Sequence, residues 1–233
     1  PGSQTNYLTH PATHAFQQLI LHGDTLTFDS AILPDNVDFA GFIPILSSPM
    51  HGYLGINSES TPGAVTILEI TYDTVLGKWN IDSSGLVDFD SVQGTARNCS
   101  GGVTPWGTLI TSEESISGDA NGDGYKDLGW NIEINPVTRK VVNQRGGLAT
   151  ADKLWAFGNF AHENVGFHTN RQTFYQGADQ STGYLFKFVA DTAEKMDSGK
   201  LYAYKGDKTS GGIWVLIPNS TAAECNDVLL RCA

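Results

Sequence analysis

Two stretches of this 233-residue chain follow one plan. Gly52-Tyr-Leu-Gly-Ile-Asn-Ser-Glu59 and Gly107-Thr-Leu-Ile-Thr-Ser-Glu-Glu114 each run from a glycine through a short apolar segment to a carboxylate seven residues later. A third carboxylate, Glu163, follows in Phe160-Ala-His-Glu-Asn164. The separations, 114 − 59 = 55 and 163 − 114 = 49 residues, lie slightly above the roughly 40–50 residue period of propeller blades. Blades surround a channel, so equivalent strand ends meet at one end of it. Carboxylates facing a common point repel one another unless cations hold them. Chance periodicity is the competing account.

The remaining pattern is β with little helix. Strand-like runs recur at 19–21, 52–56, 64–72, 107–111, 129–134, 154–157, 172–176, 184–189, 201–204 and 212–217, separated by Gly, Asn, Asp, Pro and Ser. Twenty-six glycines suit tight turns. The expected architecture is therefore all-β: one domain over residues 1–233, a β-propeller of four-stranded antiparallel blades, an incomplete set of about four, with a short C-terminal helix. In that helix Cys225 and Cys232 lie two turns apart, roughly 10 Å and too far for a disulfide.

Charge and apolar run length exclude two classes of partner. Only 14 Lys and Arg stand against 25 Asp and Glu, a formal charge of −11, so no basic patch can displace counterions from a nucleic acid. The longest apolar runs, such as 213–217, are far short of the roughly 20 residues of a membrane span. No basic-apolar leader precedes Pro1, and the expectation is that any secretion signal has been removed or was not included.

The segment Asn98-Cys-Ser-Gly-Gly-Val-Thr-Pro-Trp-Gly-Thr-Leu-Ile-Thr-Ser-Glu-Glu114 places a soft ligand, Cys99, and two hard ones, Glu113 and Glu114, around one rigid turn. Gly101 and Gly102 read as letting the backbone fold back, and 104–107 as fixing the turn. A buried cysteine beside two solvated glutamates is the other reading. Just downstream, Asp119-Ala-Asn-Gly-Asp-Gly-Tyr-Lys-Asp127 puts oxygen donors Asp119, Asn121, Asp123, the Tyr125 carbonyl and Asp127 at calcium-loop positions one, three, five, seven and nine, with Gly124 at six. Position twelve is Trp130 rather than glutamate, so the loop reads as structural calcium or as a plain Asp/Asn/Gly turn. Asp35-Asn-Val-Asp38 could offer oxygens but reads as a turn. His51, His162 and His168 read as satisfied polar groups, or as supports for a metal site. No nucleophile elbow, Walker loop or zinc helix is present in the sequence.

The Asn98–Glu114 block, followed in order by Phe160-Ala-His-Glu163, Tyr184-Leu-Phe-Lys-Phe-Val189 and Gly199-Lys-Leu-Tyr202, resembles the PhoX-type alkaline phosphatases from about Asp35 onward. The resemblance implies a β-propeller whose channel mouth holds Fe3+ and several Ca2+ ions bridged by an oxo group. It makes Cys99 the thiolate ligand to iron, Glu114 a cluster carboxylate with Glu113 beside it, and Glu163 the glutamate of the His-Glu motif. Asn57 and Glu59 match an Asn-His-Glu motif whose middle residue is Ser58 here. Thiolate suits iron, and carboxylates suit both ions. Together the ions would clamp a phosphate and stabilise its developing charge. The family's Arg-Pro-Glu motif, source of a phosphate-binding arginine and another glutamate, has no match here. The chain is thus expected to be the first half of a secreted or periplasmic bacterial phosphomonoesterase, completed by a further polypeptide segment or chain. A non-catalytic, calcium-stabilised propeller acting as a binding or assembly module is the alternative expectation.

Overall fold

Every described strand of this chain pairs with a neighbour in sequence. The structure, a computed structural model, describes residues 11–119, 126–144, 152–207 and 209–218. Strands β1 (Val37–Ile45), β2 (Ser48–Ser58), β3 (Ala64–Asp73) and β4 (Lys78–Leu86) form a first antiparallel sheet in chain order. A second sheet is built from β5 (Asn98–Val103), β6 (Leu109–Glu113), β7 (Asn131–Asn135) and β8 (Lys140–Val141). The third runs from β9 (His162–Phe167) through β10 (Thr173–Ala178), β11 (Leu185–Thr192) and β12 (Lys195–Asp207) to β13 (Gly211–Ile217).

Local chemistry sets the turns. Asp73 Oδ1 accepts the N–H groups of Val75 and Leu76 at 2.8 and 2.9 Å, and Gly77 at φ +65° closes the β3–β4 hairpin. Asn135 Oδ1 does the same for Val137 and Thr138 between β7 and β8. Such side-chain caps replace backbone partners that a tight turn cannot supply.

Alternation along β6 joins the three sheets. Leu109 enters a core with Ile43, Val65, Ile67, Ile132 and Ile134, between the first and second sheets. Its neighbour Ile110 points the other way, into a core with Phe157, Phe160, Phe174, Phe186 and Phe188, between the second and third. β5 packs against both β1 and β9, so the first strands of the three sheets lie side by side. Gly101 and Gly102 do not fold the backbone back as expected; they lie within β5. A Cβ on Gly102 would sit 2.4 Å from the Val165 carbonyl oxygen, so only glycine lets β5 approach β9 this closely.

Other expectations also change. The apolar run at 154–157 is a 3-10 turn, Trp155–Phe157, that plugs the aromatic core through Phe157. Residues 19–21 form no strand; Ile20 packs on the outer face of the first sheet. Three sheets, not about four, occur among the described residues. The terminal helix with Cys225 and Cys232, and Asn121, Asp123 and Tyr125 of the calcium-like loop, lie outside them. Among the described residues no helix is long and apolar enough to cross a membrane.

One face of the third sheet carries partly exposed aromatic and apolar side chains. Register places Tyr175, Lys187, Tyr202 and Leu216 in one row, with Tyr204 opposite Trp214 in the next. The Lys187 ammonium stands 4.7 Å from the ring centres of both Tyr202 and Trp214. Leu185 and Leu216 remain 47% and 49% exposed.

Candidate metal centre

One structural device recurs in all three sheets. The register between first and second strands shifts at Val37/Ala40, at Asn98/Gly101 and between β9 and β10 at Gln176/Ala178. Each shift is a β-bulge with two residues opposite one. The first bulged residues are Asp38, Cys99 and Glu163. A bulge re-aims a side chain that plain alternation would send elsewhere. Immediately past the second strands come Glu59, Glu114 and Asp179. Their N–H groups donate to the carbonyls of Asn36, Arg97 and Ala161 at 2.9, 3.1 and 2.9 Å. Each sheet therefore delivers two ligand-type side chains from the same two places.

These side chains converge. Donor atoms of Asp38, Glu59 and Cys99 lie within 4.8 Å of one another, and so do those of Cys99, Glu114 and Glu163. Cys99 Sγ is 2.7 Å from Asp38 Oδ2 and 3.5 Å from Glu163 Oε1. Asp179 lies near enough to raise the pKa of both Glu114 and Glu163. Arg97 brings the guanidinium: Nε donates to Glu59 Oε1 at 3.0 Å, Nη2 bonds the same oxygen, and Nη2 also donates to Glu114 Oε2 at 2.6 Å.

The supports are buried. Asn57, fully enclosed, donates from Nδ2 to the carbonyls of Cys99 and Ser100 at 3.2 and 2.6 Å. Ser100 Oγ donates to Asn164 Oδ1 at 2.8 Å, tying β5 to β9 at the bulges. His162 is buried between Asn131 Nδ2 and the Gly158 carbonyl, and burial holds its pKa down at about 3. It is a neutral brace beside Glu163. His51 pairs with Glu69 at 2.9 Å, and His168 shapes the β9–β10 turn through Asn170; neither joins the cluster.

Glu113 does not join either. As the last residue of β6 it points away from Glu114 into the interior, where Oε1 meets Lys153 Nζ at 2.8 Å and the Ala96 N–H at 3.2 Å. Its Oε2 accepts from Gly129 and Trp130 N–H groups, each at 3.1 Å. Burial pushes this carboxyl up and the Lys153 ammonium down, while their mutual attraction opposes both shifts. Alternation along β6 separates the two glutamates, which adjacency in sequence had grouped.

Asp38, read from the sequence as a turn residue that could offer oxygens, stands with Glu59 and Cys99; Asp179 and Arg97 carry no signal in the sequence reading. Spacing in the sequence groups Glu163 with Glu59 and Glu114, yet by position in its sheet Glu163 is the counterpart of Asp38 and Cys99, and the counterpart of Glu59 and Glu114 is Asp179. A search for acidic residues just beyond each second strand could have found it.

Crowded acids with one guanidinium set the electrostatics. Loss of solvent, then hydrogen bonds to Asp179 and Glu59, raise the Glu114 pKa from 4.5 to about 8. Burial and the surrounding acids push Glu163 up too, and hold Cys99 far above the ordinary thiol range. Arg97 holds Glu59 below its ordinary value. The dominant sign follows from Glu114. Between pH 4.5 and about 8 the folded, cation-free chain keeps a proton that the unfolded chain has released, so stability falls as pH rises through that window. Thermal unfolding in chelator should show the midpoint dropping across it, and saturating Ca2+ should flatten the slope. A midpoint rising with pH would contradict this placement of Glu114.

Fit to cations is supported by the donor set: one thiol and four carboxylates within reach of one another, with Asp179 beside them, against one guanidinium among the described residues. The buried Asn57 Oδ1 adds an acceptor with no hydrogen-bond partner among the described residues.

The profile of the family described as alkaline phosphatase PhoX matches residues 75–231. No curated protein matches the chain. Among solved structures, the chain is similar to Pseudomonas fluorescens PhoX in complex with vanadate, a transition state analogue, with a TM-score of 0.62 and 18% identity. That alignment covers 85% of this chain and 53% of the other, so the chain spans about half the length of that relative.

Proposed function

Because the chain belongs to the PhoX alkaline phosphatase family, we propose that it forms the metal-binding half of a β-propeller that hydrolyses phosphate monoesters. The observation that carries the reading is the meeting of a buried thiol with carboxylates from three sheets. Structural calcium alone has no use for sulfur, whereas iron does.

Cys99, Asp38, Glu59, Glu114, Glu163 and Asp179 would hold the ions, with Asn57 Oδ1 as a neutral donor. Fe3+ and Ca2+ bound there would supply positive charge to polarise the phosphoryl group and offset the charge growing on its oxygens. The protein's part is to keep the donors in place. The bulges aim Asp38, Cys99 and Glu163; Asn57 fixes the Cys99 backbone; His162 and its partners keep β9 dry beside Glu163. Thiol and carboxylic protons must leave as cations enter, so loading is favoured by alkaline pH.

A further sheet, from the rest of a longer polypeptide or from another chain, would cover the aromatic face of the third sheet and bring the family's Arg-Pro-Glu motif. The same reading puts the working protein outside the cytoplasm, secreted or periplasmic. A second reading, a calcium-stabilised binding module without catalysis, is favoured by the predominance of carboxylates in the donor groups, since these suit calcium as well as iron. One experiment separates them. Elemental analysis of purified protein, paired with p-nitrophenyl phosphate hydrolysis, should give iron together with calcium, and turnover. Calcium without iron and without turnover would leave only the module.

A further inference from the structure

The residue before each first strand stands in the same relation to its sheet. Asn36, Arg97 and Ala161 each offer a carbonyl to the acidic residue beyond the second strand. Their side chains differ. Asn36 makes a neutral hydrogen bond from Nδ2 to Glu59 Oε2 at 3.3 Å, and Ala161 can make none. Only Arg97 brings charge, and it spans two sheets, holding Glu114 of its own and Glu59 of the one before.

Those two carboxylates belong to different donor groups. Glu59 completes the set with Asp38 and Cys99; Glu114 completes the set with Cys99 and Glu163. One guanidinium thus takes one carboxylate from each. Its backbone is fixed: φ is +51°, the Arg97 N–H donates to the Ser60 carbonyl at 2.8 Å, and the Arg97 carbonyl accepts from Glu114. The side chain, half-exposed, has room to swing outward. Carboxylate oxygens that accept from a guanidinium cannot at the same time give those lone pairs to a metal, and a divalent cation a few ångströms from the guanidinium is repelled.

We propose that Arg97 is a resident counter-ion of this site, holding Glu59 and Glu114 together in the cation-free chain and leaving them when an oxygen-seeking divalent cation binds. The proposal rests on the cation-binding reading above, but not on catalysis. It explains how acids from separate sheets stay assembled before loading. It also sets a threshold: at alkaline pH, where Glu114 is ionised, cation binding must break both ion pairs.

The test is calorimetric titration of chelator-treated protein with Ca2+ at alkaline pH, comparing wild type, Arg97→Gln and Arg97→Lys. Removing the charge should tighten Ca2+ binding about tenfold, as expected for deleting a like charge beside the cation. Arg97→Lys should stay within about threefold of wild type, because a point charge remains. Equal or weaker binding by Arg97→Gln overturns the proposal while leaving the site intact. Absence of Ca2+ binding by wild type and variant alike overturns both proposal and site. Should Arg97→Gln fail to fold, the wild-type Arg97 Nε–H resonance decides: it should shift on Ca2+ saturation, and an unmoved signal refutes the exchange.

Discussion

Lys153→Met is expected to destabilise the cation-free protein by about 3–5 kcal/mol, the cost of leaving one member of a buried ion pair without its partner. The Glu113 carboxylate and Lys153 side chain are 0% and 3% exposed, so water cannot take the place of the lost ammonium. Lys153 also donates to the Asp127 carbonyl at 2.8 Å, tying the β6–β7 connection to the same point. The pair serves the site at one remove: Glu113 accepts from the Ala96 N–H, next to Arg97, and from Gly129 and Trp130, which lead into β7. Urea unfolding followed by circular dichroism measures the loss. The double variant Glu113→Gln with Lys153→Met should regain part of it, since no charge is then stranded. A single variant as stable as wild type would mean that the pair is not closed in solution.

Gly102→Ala should cost about 3 kcal/mol, at the upper end of overpacking. The added methyl would meet the Val165 backbone oxygen at 2.4 Å and the Phe167 ring at 2.6 Å. A strand backbone cannot rotate away as a side-chain tip can, so β5 and β9 must part. Cys99 and Glu163 lie on those strands, and Ca2+ affinity should fall along with stability. Gly166→Ala in β9 is the control: its nearest neighbour would be the Tyr175 oxygen at 3.9 Å, and it should change neither measurement appreciably. Wild-type Ca2+ affinity in Gly102→Ala would show that the spacing of these strands does not set the site.

Legibility differed between fold and site for physical reasons. Strands β2, β3, β10 and β11 carry apolar runs bounded by turn residues, and their existence could be read from the chain. β4, with Trp79, Ile81 and polar neighbours, and β5, with its paired glycines, lack such a run; β4 is held by its ladder with β3, and β5 by β6 and by packing on β1 and β9. The 154–157 run misled because an apolar stretch says only that it is buried, and Phe157 is buried as a plug rather than as a strand.

By itself the sequence determined the all-β class and the family, because these rest on local patterns: alternation, Asp, Asn and Gly at bends, and the unbroken Asn98–Glu114 block. It also supplied Cys99, Glu59, Glu114 and Glu163 as ligand types. Tertiary structure alone decided which acids meet. Asp38 and Cys99 are 61 residues apart and touch only because β1 packs on β5. Asp179 joins because β10 ends where β2 and β6 end. Glu113 leaves because burial against Lys153 outweighs its place beside Glu114. Convergence of this kind is set by how sheets stack and where bulges interrupt their register. Neither is a property of any short stretch of chain.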